Sequence, residues 1–137
     1  MKIISKTSIF IFLIILLCTQ LSCKKNPRSS DNEMPIISIV EPTNLDTLIL
    51  SKDPEMHVEF TVSDNTTLHE LEIKLYDSSN HILQQFTPNV MDLPSYAFHT
   101  HYNPIGITSF TWVKVYIKAT DHALNVTEKE LKIYILP

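Results

Sequence analysis

The chain has 137 residues, a formal net charge of −4, two cysteines and a single glycine, Gly106. Glycine-rich phosphate-binding loops of nucleotide-binding enzymes need at least two glycines, because backbone amides must approach the phosphate closely. A chain with one glycine therefore cannot contain such a loop. A chain of this length accommodates one domain with a modest core.

Residues 1–22 are predicted to be a secretory signal peptide. Two lysines precede an apolar run over residues 9–17, which is about half of the roughly 20 residues needed to span a bilayer. The segment Leu21-Ser22-Cys23 resembles the lipobox of bacterial lipoproteins, in which the signal is cut before a cysteine whose thiol is then lipidated. We therefore predict lipidation at Cys23 rather than at Cys18, which follows a bulky leucine. An ordinary secreted protein and an uncleaved membrane anchor are the alternatives.

Residues 23–33 are predicted to be the lipidated cysteine and a short flexible tether, because residues 24–33 contain no large apolar side chain. The remaining chain, residues 34–137, has no cysteine and gains no disulfide in an oxidising compartment. We expect an outer membrane lipoprotein. Whether it faces the periplasm or the cell surface stays open, because Lys24 and Lys25 stand where some surface-displayed lipoproteins carry acidic residues.

The folded part of the chain is acidic. From residue 34 onward six lysines oppose thirteen aspartates and glutamates, a balance of −7. Such a surface repels phosphate backbones, so we expect no nucleic-acid partner.

Apolar and polar side chains alternate with a period of two from residue 35 to the end, which predicts half-buried β-strands. Prolines and Asp/Asn/Ser clusters separate the runs, as turns require. Seven or eight short strands favour an all-β, immunoglobulin-like antiparallel β-sandwich, with a barrel as the alternative. The strongest predicted core positions are Ile37, Ile39, Val58, Phe60, Val62, Leu71, Ile73, Leu75, Tyr96, Phe98, Val113, Val115, Ile117, Ala119, Leu131, Ile133 and Ile135.

Four segments carry a resemblance to a known family: 35–39, 58–65, 71–77 and 115–121, the last ending in Ala-x-Asp with Asn125 shortly after. Together they resemble the bacterial immunoglobulin-like domains of small Bacteroidetes-type lipoproteins. The resemblance implies the fold and leaves the activity open, because such sandwiches host unrelated functions. The family usually has glycine before the final asparagine, so Leu124 implies a looser last hairpin.

His99 and His101 are a candidate pair of metal ligands, because residues two apart on a strand project to the same side about 6.5 to 7 Å from each other. Phe98 is assigned to the core, which directs both histidines outward. In an immunoglobulin topology this strand lies beside the one that carries His57 and Glu59 facing outward. Three imidazoles and a carboxylate would suit zinc or copper. The alternative is a set of ordinary solvated histidines.

Loop carboxylates form a second candidate site. The loops after two strands meet at one end of such a sandwich, near the tether, and their oxygen ligands would suit calcium. The alternative is that these side chains bond their own backbone at turns. The residues concerned are Asp31, Glu33, Asp64, Asn65, Asp121 and Asn125.

Aromatic side chains form a third candidate, on the outward face of the other sheet: Tyr76, Trp112, Tyr116 and Tyr134. Exposed aromatics can stack on a glycan or bury against a partner protein of the envelope. The alternative is pairing with neighbouring lysine stems, which stabilises a sheet.

No motif places a nucleophile on a strained turn, and no pair of carboxylates is marked for catalysis. We therefore predict a non-catalytic, lipid-anchored binding or spacer module of the cell envelope without an obligatory cofactor. The alternatives are a zinc- or copper-binding lipoprotein and a glycan or protein receptor.

Overall fold

The computed structural model describes residues 31–137, so the predicted signal peptide, Cys18, Cys23 and most of the tether lie outside the described residues. This part of the chain is all β. Within it, no helix has the length and apolarity needed to cross a membrane. The strands are β1 (Ile36–Glu41), β2 (Thr47–Ile49), β3 (Met56–Ser63), β4 (Leu68–Tyr76), β5 (Ile82–Phe86), β6 (Ser95–Tyr102), β7 (Thr111–Asp121) and β8 (Val126–Leu136).

The strands form two sheets. One has three strands in the order β1-β3-β6, and the other has five in the order β2-β8-β7-β4-β5. The pairings are antiparallel except for the short β2, which runs parallel to β8. Two separate sheets in this order are an immunoglobulin-like β-sandwich, as the strand pattern predicts, and not the alternative barrel.

The core lies between the sheets and follows the predicted alternation. In β3, Val58, Phe60 and Val62 are almost completely buried, while the residues between them face outward. Phe60 stacks on Phe98 across the β3–β6 ladder, with the ring centroids 5.1 Å apart. Of the predicted core positions, Ile39 and Tyr96 are only partly buried, and both pack against the buried cluster.

The turn between β7 and β8 contains Leu124, at the position where the bacterial domains that the sequence resembles usually have glycine. Leu124 has a φ of 71°, in the left-handed region that glycine adopts freely and that costs other residues about 1 to 2 kcal/mol. Its amide donates to the Asp121 carbonyl, which closes the turn. The turn therefore forms with leucine at a glycine-type position, and its side chain is 55% exposed.

We predict that Leu124→Asn stabilises the domain, because asparagine tolerates the left-handed conformation better than leucine and no packing is lost. The free energy of unfolding in urea should rise by about 0.5 to 1 kcal/mol. Leu83→Asn is the matched control, since Leu83 is also exposed but has no positive φ. An equal change in both variants would show that the backbone conformation of residue 124 is not the cause.

Candidate functional site

Three histidines meet on the outer face of the three-stranded sheet. In the antiparallel ladder of β3 and β6, His57 pairs with His101, and Glu59 pairs with His99. The burial of Phe60 and Phe98 on the inner face forces these residues outward. The predicted neighbourhood of His57, His99 and His101 is therefore present in the structure.

One ring nitrogen from each of the three imidazoles lies within 4.8 Å of the other two. The rings of His57 and His101 stack at 4.2 Å between centroids, and the ring of His99 stands edge-on to His101 at 4.7 Å. The Nε2 atoms of His99 and His101 are 3.2 Å apart. Two nitrogens bound to one tetrahedral zinc ion are about 3.3 Å apart, given Zn–N bonds of about 2.05 Å, so this spacing fits a shared metal.

Two of the three rings have a carboxylate beside their Nδ1 atom. Glu55 Oε2 lies 2.8 Å from His101 Nδ1, and Glu41 Oε1 lies 3.4 Å from His57 Nδ1. An ionised carboxylate only accepts hydrogen bonds, so in a neutral His101 imidazole Nδ1 carries the proton and donates it to Glu55. The lone pair of His101 Nε2 then faces His99 Nε2, where a metal would replace the hydrogen bond between the two rings. Carboxylates behind metal-ligating histidines orient the ring and raise its basicity in the same way.

Glu59, the carboxylate predicted as the fourth ligand, does not belong to this group of converging atoms. It stands between Glu41 and His99 in the sheet, two residue pairs along from His57 and His101. The carboxylate that contacts the cluster from β3's side is Glu55. Its position two residues before His57 puts it on the same face, so strand parity could have identified it. Glu41 follows a register shift in β1, which the sequence does not reveal.

A cleft of about 350 Å³ adjoins the histidine cluster and shares Glu41, Glu55 and His57 with it. Buried Met56 and Ile133 contribute apolar walls. Solvent and ions therefore reach the carboxylate side of the cluster as well as its outer face.

The loop carboxylates also converge. Oxygens of Asp31, Asp64 and Asp121 lie within 4.8 Å of one another. The Asn125 side chain ties the loops together: its Nδ2 donates to Asp121 Oδ2 and to the carbonyl oxygens of Asp31 and Glu33. Asn65 Nδ2 donates to Asp31 Oδ1. The end of the predicted tether, residues 31–33, thus contacts the β3–β4 and β7–β8 loops directly.

Hydrogen bonds to its carboxylate keep Asp31 ionised. The backbone amide of Glu33 and the Asn65 side chain both donate to it, and these bonds lower the pKa of Asp31 below its usual value. The cluster therefore carries negative charge at neutral pH.

The four aromatic side chains share one face of the five-stranded sheet, but lysines lie over three of them. Lys132 Nζ lies 4.5 Å from the centroid of the Trp112 ring and 5.3 Å from that of Tyr134. Lys114 Nζ lies 4.8 Å from the Tyr76 ring. Each aromatic ring is half-buried. These are the cross-strand contacts expected of a stabilised sheet surface.

Tyr116 differs from the other three aromatic residues because its hydroxyl is engaged. Partial burial, together with a hydrogen bond to Glu128, raises the pKa of Tyr116 to about 12. Its phenol therefore stays protonated at any physiological pH.

Two of the three remaining histidines, His81 and His122, pair singly with carboxylates, and the ring of the third, His69, stands edge-on to the His122 ring at 5.0 Å between centroids. His122 Nε2 lies 2.9 Å from Asp92, and His81 Nδ1 lies 3.1 Å from Asp77. His122 belongs to the β7–β8 turn, as the sequence suggests, and its amide donates to the Thr67 carbonyl. Neither histidine joins a group of three converging ligands within the described residues.

No protein-family model matches this chain, and no curated protein matches it. Among solved structures, the crystal structure of an engineered protein resembles it with a TM-score of 0.52 and 12% sequence identity. The match covers 76% of this chain but only 20% of that structure. At this level of identity the similarity shows the fold alone.

An experiment can decide whether the aromatic face is a receptor surface for a glycan or protein, or a surface that only stabilises the sheet. In a receptor, a few central aromatic anchors each contribute about 2 kcal/mol or more to affinity. In a scaffold, Trp112→Ala loses cross-strand packing of up to about 1 kcal/mol per pair and no ligand. We predict the scaffold outcome, because lysines already occupy the rings. Urea unfolding, glycan arrays and affinity capture with wild type and a Trp112→Ala/Tyr116→Ala variant measure this, and glycan or protein capture lost in the variant would contradict it.

Proposed function

We propose that this protein is a lipid-anchored, non-catalytic immunoglobulin-like module of the bacterial cell envelope that binds a zinc or copper ion through His57, His99 and His101. The observation that supports it most directly is the convergence of the three imidazoles, with two Nε2 atoms at the 3.2 Å separation of nitrogens on one metal. Imidazole nitrogens are preferred ligands of both metals.

The electrostatic surroundings favour a cation at the same place. Within residues 31–137, the ion pairs of Glu41 and Glu55 are with histidines, while the ion pairs of lysines lie on the other sheet, at Lys74 and Lys114. A bound divalent ion would balance these carboxylates, which repel one another and any anion. Metal binding would thus neutralise a local excess of negative charge and would use the imidazole nitrogens as ligands.

The described end of the predicted tether and the histidine cluster lie at opposite ends of β3. Cys23 is eight residues from Asp31, which is at most about 28 Å of extended chain. Asp31 lies against the loop that follows β3, whereas His57 lies near its start. Seven residues of strand separate Asp64 from His57, about 23 Å. A lipid on Cys23 would therefore attach the module through the end of the domain that is opposite the metal centre.

We predict that the purified full chain binds one zinc or copper ion with micromolar affinity or better, and that His99→Ala/His101→Ala abolishes this binding. Isothermal titration calorimetry at neutral pH measures it. The affinity should fall as the pH drops below about 6.5, since only neutral imidazoles bind a metal. His81→Ala is the matched control, because His81 is an exposed histidine that pairs with a carboxylate outside the cluster.

Glu55→Gln tests the carboxylate behind His101. Loss of such a partner weakens metal binding by about 10- to 100-fold, and we expect a smaller effect from Glu59→Gln. If the wild type shows no heat of binding while remaining folded, the three histidines are ordinary surface residues and the proposed function fails.

The anchor has its own test. We predict that Cys23→Ser abolishes incorporation of labelled fatty acid and leaves an uncleaved or soluble product, because the thiol is the acceptor of the lipid. Cys18→Ser is the control and should label as the wild type does. Equal labelling of Cys23→Ser would refute the assignment, and loss of label in Cys18→Ser alone would move the lipid to that residue.

A further inference from the structure

The end of the domain opposite the histidines holds a second group of charges, built from oxygen atoms alone. Asp31 comes from the chain before β1, Asp64 follows β3, and Asp121 ends β7. Three segments that are far apart in sequence thus bring three carboxylates within 4.8 Å of one another. Since like charges repel, this convergence requires something that offsets the repulsion.

The described residues do not supply a positive partner. Asp121 is completely buried, and its two carboxylate oxygens accept hydrogen bonds only from the backbone and side chain of Asn125. None of the three aspartates forms an ion pair with a lysine, arginine or histidine of the described chain. A buried carboxylate without a counter-charge is costly unless a metal or another cation neutralises it.

Asp64 provides the second, independent indication. Its Oδ1 accepts hydrogen bonds from the amide and hydroxyl of Thr66, which accounts for a turn of the Asx type. Its Oδ2, however, is shut off from solvent and accepts no hydrogen bond. A local turn leaves this buried oxygen unexplained, whereas a bound ion would use it as a ligand.

We propose that Asp31, Asp64 and Asp121 bind a calcium ion. The ion would link the stem of the protein, which is the described end of the predicted tether at residues 31–33, to the loops of the domain. Oxygen-only, carboxylate-rich sites suit hard cations, and calcium accepts the irregular geometry that three separate segments produce. Because Asp31 belongs to the stem and the other two to loops of the sandwich, the ion would fix the direction in which the domain leaves the stem. This site shares no residue with the histidine cluster, and the proposal does not depend on the proposed function.

The test uses the purified full chain after treatment with a chelator, titrated with calcium chloride. We expect one calcium ion per chain by calorimetry, a higher melting temperature with calcium, because an ion that binds the folded state stabilises it, and slower hydrogen exchange at the amides of residues 31–34. Asp64→Asn should weaken binding at least tenfold. Without calcium it should melt no lower than the wild type, because it removes one of three mutually repelling charges.

Two controls separate the possible causes. Glu130→Gln removes an exposed carboxylate on the other sheet and should leave the calcium response unchanged. His99→Ala/His101→Ala should also retain it, so the calcium and histidine proposals can fail independently. If Asp64→Asn does not fold, Asp31→Asn replaces it, since Asp31 precedes the first strand. The proposal is overturned if the folded wild type shows no calcium binding, or if the carboxylate variants respond to calcium as the wild type does.

Discussion

The antiparallel ladder between β3 and β6 is the constraint on which the rest of this molecule depends. Its inner face buries Val58, Phe60 and Phe98, and a shift of one residue would turn these side chains to solvent and bring the histidines inside. The free energy of burying the apolar side chains, about 1.5 to 3 kcal/mol for each large one, therefore also fixes the outward position of the polar ones. The same ladder then sets which histidines face each other across the strands.

The two ends of β3 carry side chains with different ligand atoms. Near its start, imidazole nitrogens meet with carboxylates behind them; after its end, three carboxylates meet with amide and hydroxyl donors around them. Soft or borderline transition metals favour the first set and hard cations the second. Within the described residues, no lysine forms an ion pair with the carboxylates of either cluster, so both ends of the strand keep their negative charge.

Strand parity predicted the sheet faces, because the alternation is fixed wherever one face is buried. The histidine cluster also required the neighbouring positions of the two strands, which came from the immunoglobulin topology. It could also have indicated Glu55, which shares the face of His57. It could not indicate Glu41, since the register shift in β1 changes which residue opposes Glu59. Nor could it show that Lys132 and Lys114 lie over the aromatic rings. Parity gives the face of the sheet on which a side chain lies, and not the direction in which a long side chain bends across that face.

Because the stem lies at one end of the domain, an ion bound at either cluster would have a different effect. A metal bound by His57, His99 and His101 changes the surface at the end of the sandwich away from the stem, where the free edge of β6 and the adjoining cleft are open to a partner. The carboxylates of Asp31, Asp64 and Asp121 instead lie where the stem joins the loops, so an ion there would act on the angle between the domain and whatever the stem is attached to. Asn125 already links these segments through three hydrogen bonds. These hydrogen bonds hold the carboxylate of the stem near the two others despite their repulsion. A cation would therefore strengthen a contact that already exists rather than create a new one.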